Sequence, residues 1–379
     1  MAKSFFCVLL ILMLFSCSKN EENDLYGNWY FDKELPSERL KEYPNHYVSN
    51  LSFEILKGGN IKFKQGFYHF VSLRASKTDF VRSFYYLGNE TKYTFKNNLL
   101  VYQDLTNNDL DTLTIVNFNA TELIIQDTEK RKYLLKKKVP QIFNHNFSDY
   151  DAIVVENGAC FGSCPINSTY LHKNGDFIFT GEQHNTINEN FYCKLNGTTV
   201  SKIFHDFSKV DIKSLNNNYF KPVTCSKSTS ISFLKNGKII KTIRDYAESA
   251  PIDLLLAMEE LSYLYQKAEV NNLEDNLFDA ELKMGGFKNN KINYRLNDSE
   301  FSYLQICLNR AKKTQTSFTE KYRLTFIEPQ FVYKEGKIKN IFTDGRHYKI
   351  NYLDNTTTTV DLGYNFIEQN PIITQKRIE

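Results

Sequence analysis

The chain has 379 residues, 41% of them hydrophobic and 24% charged, and a formal net charge of +3. That length allows two or three domains of ordinary globular composition. The small charge, without long lysine or arginine runs, argues against nucleic acid as a partner. Aromatics make up 15%, with 30 Phe and 24 Tyr but one Trp, a bias that favours strands.

The first element is Met1 to Asp24. Lys3 supplies a charged start, Phe5 to Phe15 is an apolar run, and Leu14-Phe15-Ser16-Cys17 closes it. A spanning helix needs about 20 apolar residues, and this run is shorter and gives way at once to Ser18-Lys19-Asn20-Glu21-Glu22. The order resembles a lipoprotein signal, residues 1–16, which implies cleavage before Cys17 and lipid on that cysteine. Two or three acyl chains, at about 0.8 kcal/mol per buried methylene, would anchor the chain to a membrane. The acidic tether, 17–24, resembles the lipoprotein export signal of Bacteroidota. That likeness implies an outer-membrane protein facing the outside, the alternative being the periplasmic face. Past Cys17 no segment is apolar enough to span a bilayer, so the body is expected to be soluble.

Residues 25–140 read as antiparallel β. Leu51 to Leu56 and Asn60 to Lys64 alternate around Gly58-Gly59, a hairpin signal. Short strands come next at Tyr93–Phe95, Leu99–Tyr102, Leu113–Val116, Glu122–Ile125 and Lys132–Leu135, which suggests a small barrel or sandwich. Gly27-Asn28-Trp29, with Leu123-Ile124-Ile125 and Tyr133-Leu134-Leu135, resembles the lipocalin-like domains of bacterial lipoproteins. The resemblance implies a barrel with Trp29 packed across its floor. The interior would either hold a small apolar ligand or be filled by side chains.

Residues 149–268 read as an α+β layer pair. Ala152 to Glu156 is a strand, followed by Cys160-Phe161-Gly162-Ser163-Cys164-Pro165. Ser168 to His172 and Asp176 to Gly181 flank a turn at Asn174-Gly175, and Thr199 to Lys209 has helical periodicity. A second hairpin pairs Ser230–Leu234 with Lys238–Ile243 around Asn236-Gly237. Pro251 to Gln266 is an amphipathic helix with Pro in its first turn. The cysteine loop, the hairpin ending near Gly181, Arg244-Asp245-Tyr246 after a late strand and the Pro251-led helix resemble the bacterial domain of unknown function 6438. This chain has Thr224-Cys225 where members often carry an acid. The resemblance implies no activity.

Residues 276–379 carry a helix from Asp298 to Lys312, capped by Asn297 or Asp298. Strands are expected beyond it at Tyr322–Phe326, Gln330–Tyr333, Lys337–Ile341 and His347–Tyr352. The Lys-Glu-Gly-Lys turn at 334–337 echoes Lys-Asn-Gly-Lys at 235–238, as a diverged internal copy would.

Of seven cysteines, Cys7 leaves with the signal and Cys17 takes lipid, which leaves five. The compartment permits disulfides, and an odd count leaves at least one thiol unpaired. Cys307, on the helix near Leu304, Leu308 and Ala311, is expected to be that buried thiol. Cys160 and Cys164 are expected to form a structural disulfide. An exchange site would want Cys-x-x-Cys opening a helix, whereas here the spacing is longer and a strand comes after it. Cys193 and Cys225 are expected as a second bridge.

Gly162-Ser163-Cys164 resembles the nucleophile region of papain-like proteases, but Pro165 replaces the aromatic residue and no histidine lies between His205 and His347. The seven histidines are scattered, without His-Glu-x-x-His spacing, so no metal or cofactor is expected. His205-Asp206 and Glu259-Glu260 read as solvated helix faces. Asp111-Thr112-Leu113 resembles the short O-glycosylation motif of Bacteroidota.

The reading is therefore an α+β chain: a β-rich N-terminal barrel or sandwich, then one or two small two-layer α+β domains. A lipid-anchored envelope protein that binds or scaffolds, through a protein or small-ligand partner, is the expected function. The alternatives are a thiol-redox or hydrolytic enzyme at the Cys160–Cys164 loop and an apolar-ligand carrier in the N-terminal barrel.

Overall fold

Alternation along Phe53–Leu56, Leu99–Gln103, Glu122–Gln126 and Lys132–Lys138 makes strands with one apolar face, and closing them on themselves buries that face without leaving an edge. The computed structural model describes residues 22–36, 51–74, 80–139, 141–144, 149–268, 271–272, 283–327 and 338–371. The signal, Cys17 and the strand expected at 330–333 lie outside those residues. The chain divides into two units, residues 1–68 with 87–140 and residues 69–86 with 141–379. Among the described residues no helix is long and apolar enough to cross a membrane.

The first unit is a closed eight-stranded barrel in chain order. Its strands are β1 (Gly27–Glu34), β2 (Phe53–Leu56), β3 (Asn60–Arg74), β4 (Phe80–Lys96), β5 (Leu99–Gln103), β6 (Leu110–Phe118), β7 (Glu122–Gln126) and β8 (Lys132–Lys138). Strand β1 pairs antiparallel with both β2 and β8, which closes the ring. Strands β3 and β4, at 15 and 17 residues, outrun the alternation, which fades after Phe67. Their outer parts, residues 69–86, belong to the second unit.

The barrel interior is filled. Trp29, Phe53, Ile61, Leu123 and Leu135 are fully buried, and the Phe63 ring lies 5.9 Å from Phe53 and 4.8 Å from Tyr102. Each such side chain contributes about 1.5–3 kcal/mol. Trp29 Nε1 donates to Leu25 O at 2.7 Å. Lys137 Nζ lies 5.0 Å from the centre of the Trp29 ring and donates to Asp24 O at 2.6 Å. Gly27 is required beside them: its φ is +123°, and a Cβ there would meet Lys137 Cε at 2.9 Å.

In the second unit one sheet has the order β13-β15-β14-β9-β10-β11-β12-β16. Its strands are β9 (Ala152–Asn157), β10 (Ile166–His172), β11 (Asp176–Gln183), β12 (Asn190–Lys194), β13 (Asn218–Phe220), β14 (Ser228–Lys235), β15 (Lys238–Tyr246) and β16 (Asn271–Asn272). Helices α1 (Gly197–Phe207) and α2 (Ile252–Ser262) cover one face. Every residue of β9 is buried, as expected of a strand packed on both sides.

The second sheet has the order β18-β17-β20-β21-β22-β23-β19. These are β17 (Lys283–Lys288), β18 (Asn293–Arg295), β19 (Lys312–Lys313), β20 (Tyr322–Ile327), β21 (Ile338–Thr343), β22 (His347–Tyr352) and β23 (Thr357–Asp361). Helix α3 (Asp298–Asn309) comes after β18, and α4 (Phe366–Gln369) ends the described chain. Asn297 and Glu300 form a capping box at the α3 start, which satisfies two orphan donors reciprocally. Helix α3 covers the other face of the first sheet: Tyr303 stacks 6.4 Å from Tyr170, and Ser302 Oγ donates to Glu156 Oε2 at 2.7 Å. One apolar cluster joins Val154, Tyr170 and Leu234 to Phe301, Leu304, Ile341 and Ile350. The first sheet is thus covered on both faces rather than being half of a two-layer domain.

Both sheets place a hairpin beside a four-stranded meander, β14–β15 next to β9–β12 and β17–β18 next to β20–β23. The chain order is exchanged, since the meander comes first in one sheet and the hairpin first in the other. The likeness is a permuted one, not a collinear copy.

Candidate functional site

The link from β9 to β10 is clamped by the Cys160–Cys164 disulfide, with Cα atoms 5.7 Å apart. So short a ring contributes roughly 2 kcal/mol by loop-closure entropy, and its main effect is to hold the loop's shape. Gly162, at φ +143°, makes the bend, and Pro165 is buried beneath it. Gly158 N–H donates to Ser228 O at 2.8 Å and ties the loop to β14. Phe161, at the tip, is 88% exposed. The loop leads into strand β10 rather than a helix, so neither cysteine opens a helix.

Below the loop lies a buried amide and hydroxyl network. Asn157 Nδ2 donates to Asn167 Oδ1 and to Ser262 Oγ, each at 2.8 Å, and Thr229 Oγ1 donates to Asn157 Oδ1 at 3.2 Å. Asn167 Nδ2 donates in turn to Asn185 Oδ1 at 2.7 Å. These bonds join β9, β10, β14, α2 and the turn after β11. Gly181 admits that turn: a Cβ there would lie 2.3 Å from Ile187 O. Paired polar groups of this kind fix one arrangement, because each lost partner leaves a buried donor unsatisfied.

Asp245, buried at the end of β15, holds the approach to α2. Its Oδ1 accepts from Ala250 N at 2.7 Å, Ser249 N at 2.9 Å and Ser249 Oγ at 3.3 Å. Ala247 and Glu248 between them have φ of +62° and +50°, a conformation that disfavours side chains. Tyr246 OH accepts from Ser226 N at 3.3 Å, and its ring stacks 5.5 Å from Phe220. Arg244 is exposed. Pro251 is the residue before α2, not part of its first turn.

The expected bridge between Cys193 and Cys225 does not form. Cys193 is buried in β12, and Cys225 is exposed in a loop at φ +64°. Cys307 is also a free thiol, as expected, though half-buried rather than buried, and its Sγ accepts from Tyr364 OH at 3.5 Å. Burial pushes the Cys193 and Cys307 thiols up, which disfavours the thiolate needed for nucleophilic attack.

Two carboxylates expected to face solvent are instead buried between α1 and α2. Asp206 and Glu260 are 4% and 8% exposed. Lys202 Nζ contacts Glu260 and lies 3.2 Å from Asp206, while Lys209 Nζ lies 2.5 Å from Asp206. Burial alone would raise the Asp206 carboxyl, but its ion pair with Lys209, and Lys202 beside it, hold it at about 2. Burial raises Glu260, and the Asp206 charge raises it further. A depressed acid stabilises the fold above its unfolded value and loses that contribution as pH falls toward the folded one; a raised acid does the reverse. Asp206→Asn is therefore expected to cost about 2 kcal/mol at pH 7, with the deficit shrinking below pH 4. Glu260→Gln should cost less at pH 7, and urea midpoints at pH 7 and pH 3 would show both.

Residues 151–265 match the family described as domain of unknown function DUF6438. The match runs from the residue before β9 into the turn after α2, and holds the disulfide loop, the amide network and Asp245. No curated protein matches the chain, and no solved structure does. The sequence motifs of this domain mark turns and clamps, while the network asparagines carry no motif. The only signal of Asn157 and Asn167 is a polar residue at a strand position whose register faces α2, and Asn185 lies in the turn after β11.

Proposed function

We propose that this protein is a non-catalytic binding protein, tethered to the envelope through lipid on Cys17, whose DUF6438 domain presents Phe161 to a protein partner. One observation carries the reading: Phe161 is 88% exposed on a loop that the disulfide holds in shape. A large ring exposed on a constrained loop acts as a binding anchor, because little conformational freedom remains to be lost on association. Phe220, 69% exposed, lies at the same end of the sheet by strand register, and Val223, 48% exposed, is in the loop that leaves its strand. Rings packed on one another inside the barrel favour a spacer role for the first unit over a carrier. The raised thiols of Cys193 and Cys307 favour binding over sulfur chemistry. The acidic tether favours the outer membrane and its outer face.

The test places a photo-cross-linking amino acid at position 161 in cells, and at Leu110 on the barrel as a control site. A single discrete adduct at 161, absent at 110 and lost in the Cys160→Ser/Cys164→Ser double variant, is the expected result. Rapid alkylation of Cys160 or Cys164 in the untreated protein near neutral pH would sink the reading in favour of redox chemistry.

A further inference from the structure

A cleft of about 460 Å³ opens on the outward face of the C-terminal sheet, beside the turn joining β17 and β18. That volume lies in the range of small-ligand sites. Lys288 and Arg323 stand directly opposite each other across β17 and β20. On its other side Arg323 faces Phe342, so no acid answers it along the row. Like charges set opposite in a ladder destabilise it, so this pair works against the sheet's own stability.

Lys291 and Lys321 add two further cations to the lining. None of the four has an ion-pair partner among the described residues. The lining carboxylate, Glu320, is held by Lys349 at 3.1 Å. The turn at the rim is set in advance: Asn289 Oδ1 accepts from the backbone N–H of Lys291 at 2.9 Å and of Ile292 at 2.8 Å.

We propose that this cleft binds a small ligand carrying two or more phosphate groups. A phosphate monoester carries about −1.5 to −2 charges near pH 7, so two of them match four unpaired cations. The Arg323 fork suits a phosphate face bidentately, and the lysines serve as point charges around it. The ligand's source is a soluble sugar phosphate or a lipid headgroup bearing the same groups.

The test is calorimetric titration of the full chain in detergent with inositol hexakisphosphate, with neutral inositol as the control. Binding that weakens about tenfold or more in Lys288→Gln/Arg323→Gln, and weakens as salt rises, is the expected result. The same double variant should melt no lower than the parent, because it relieves a like-charge pair. Soluble short-chain phosphatidylinositol bisphosphate separates the sources: tighter binding of it than of inositol hexakisphosphate assigns a lipid headgroup, and the converse a soluble ligand. No binding of either phosphate, or equal affinity in the double variant, overturns the proposal.

Discussion

Replacing Trp29 with Ala should destabilise the barrel unit by about 3–5 kcal/mol, a large fraction of what a domain of this size holds in reserve. The ring is fully buried, so the cavity left behind adds to the lost transfer energy. Two milder variants separate the contributions. Trp29→Phe keeps most of the ring but leaves Leu25 O without its donor, at about 1–2 kcal/mol. Lys137→Ala removes the cation over the ring and the bond to Asp24 O, and should cost about 1 kcal/mol. Because the chain has a single tryptophan, the fluorescence of the parent and of Lys137→Ala reports the barrel unit alone. Far-UV circular dichroism must track the Trp29 variants. A Trp29→Ala protein that melts with the parent would show that the ring seals nothing.

Asp245→Ala should cost the second unit about 2–4 kcal/mol. One carboxylate oxygen accepts two backbone N–H groups and a hydroxyl, and a charged acceptor of this kind contributes about 1.5–3 kcal/mol. It also holds Ala247 and Glu248 in left-handed conformations, which persist only where the surroundings over-determine them. Asp245→Asn keeps one acceptor oxygen and should lose less. Glu248→Gly should be neutral or slightly stabilising, since glycine adopts positive φ freely. Hydrogen exchange would localise the effect: the amides of residues 249–254 should lose protection in Asp245→Ala while those of β9 keep it. Equal loss in both places would make Asp245 a general core residue and not a turn clamp.

The parts of this fold legible in the sequence are those governed by local rules. Alternation gives the barrel strands, Asn174-Gly175 and Asn236-Gly237 give the hairpins, and Asn297 gives the start of α3. The Cys160–Cys164 clamp comes from spacing and compartment. Non-local features were hidden. The long arms of β3 and β4 carry rings and polar residues without a period, because their outer parts serve a different unit from their inner parts. Helix amphipathicity placed Asp206 and Glu260 outside; Lys202 on α1 and Lys209 just beyond its end pair with them and offset their burial. The Cys193–Cys225 bridge rested on counting, and counting says nothing of which strand a thiol faces. In the echo between 235–238 and 334–337 the second turn lies outside the described residues, and the permuted strand order is a property of whole sheets that a four-residue turn does not carry.

The position of α3 carries a consequence for the ancestry of the middle segment. The matched residues 151–265 end before α3 begins at Asp298, yet that helix roofs Val154, Tyr170 and Leu234. The inherited segment and the folding segment are therefore different lengths of chain. Excised at its sequence boundaries, it would offer water a bare apolar wall and associate through it. In this chain the roof comes from the C-terminal flank, outside the matched residues.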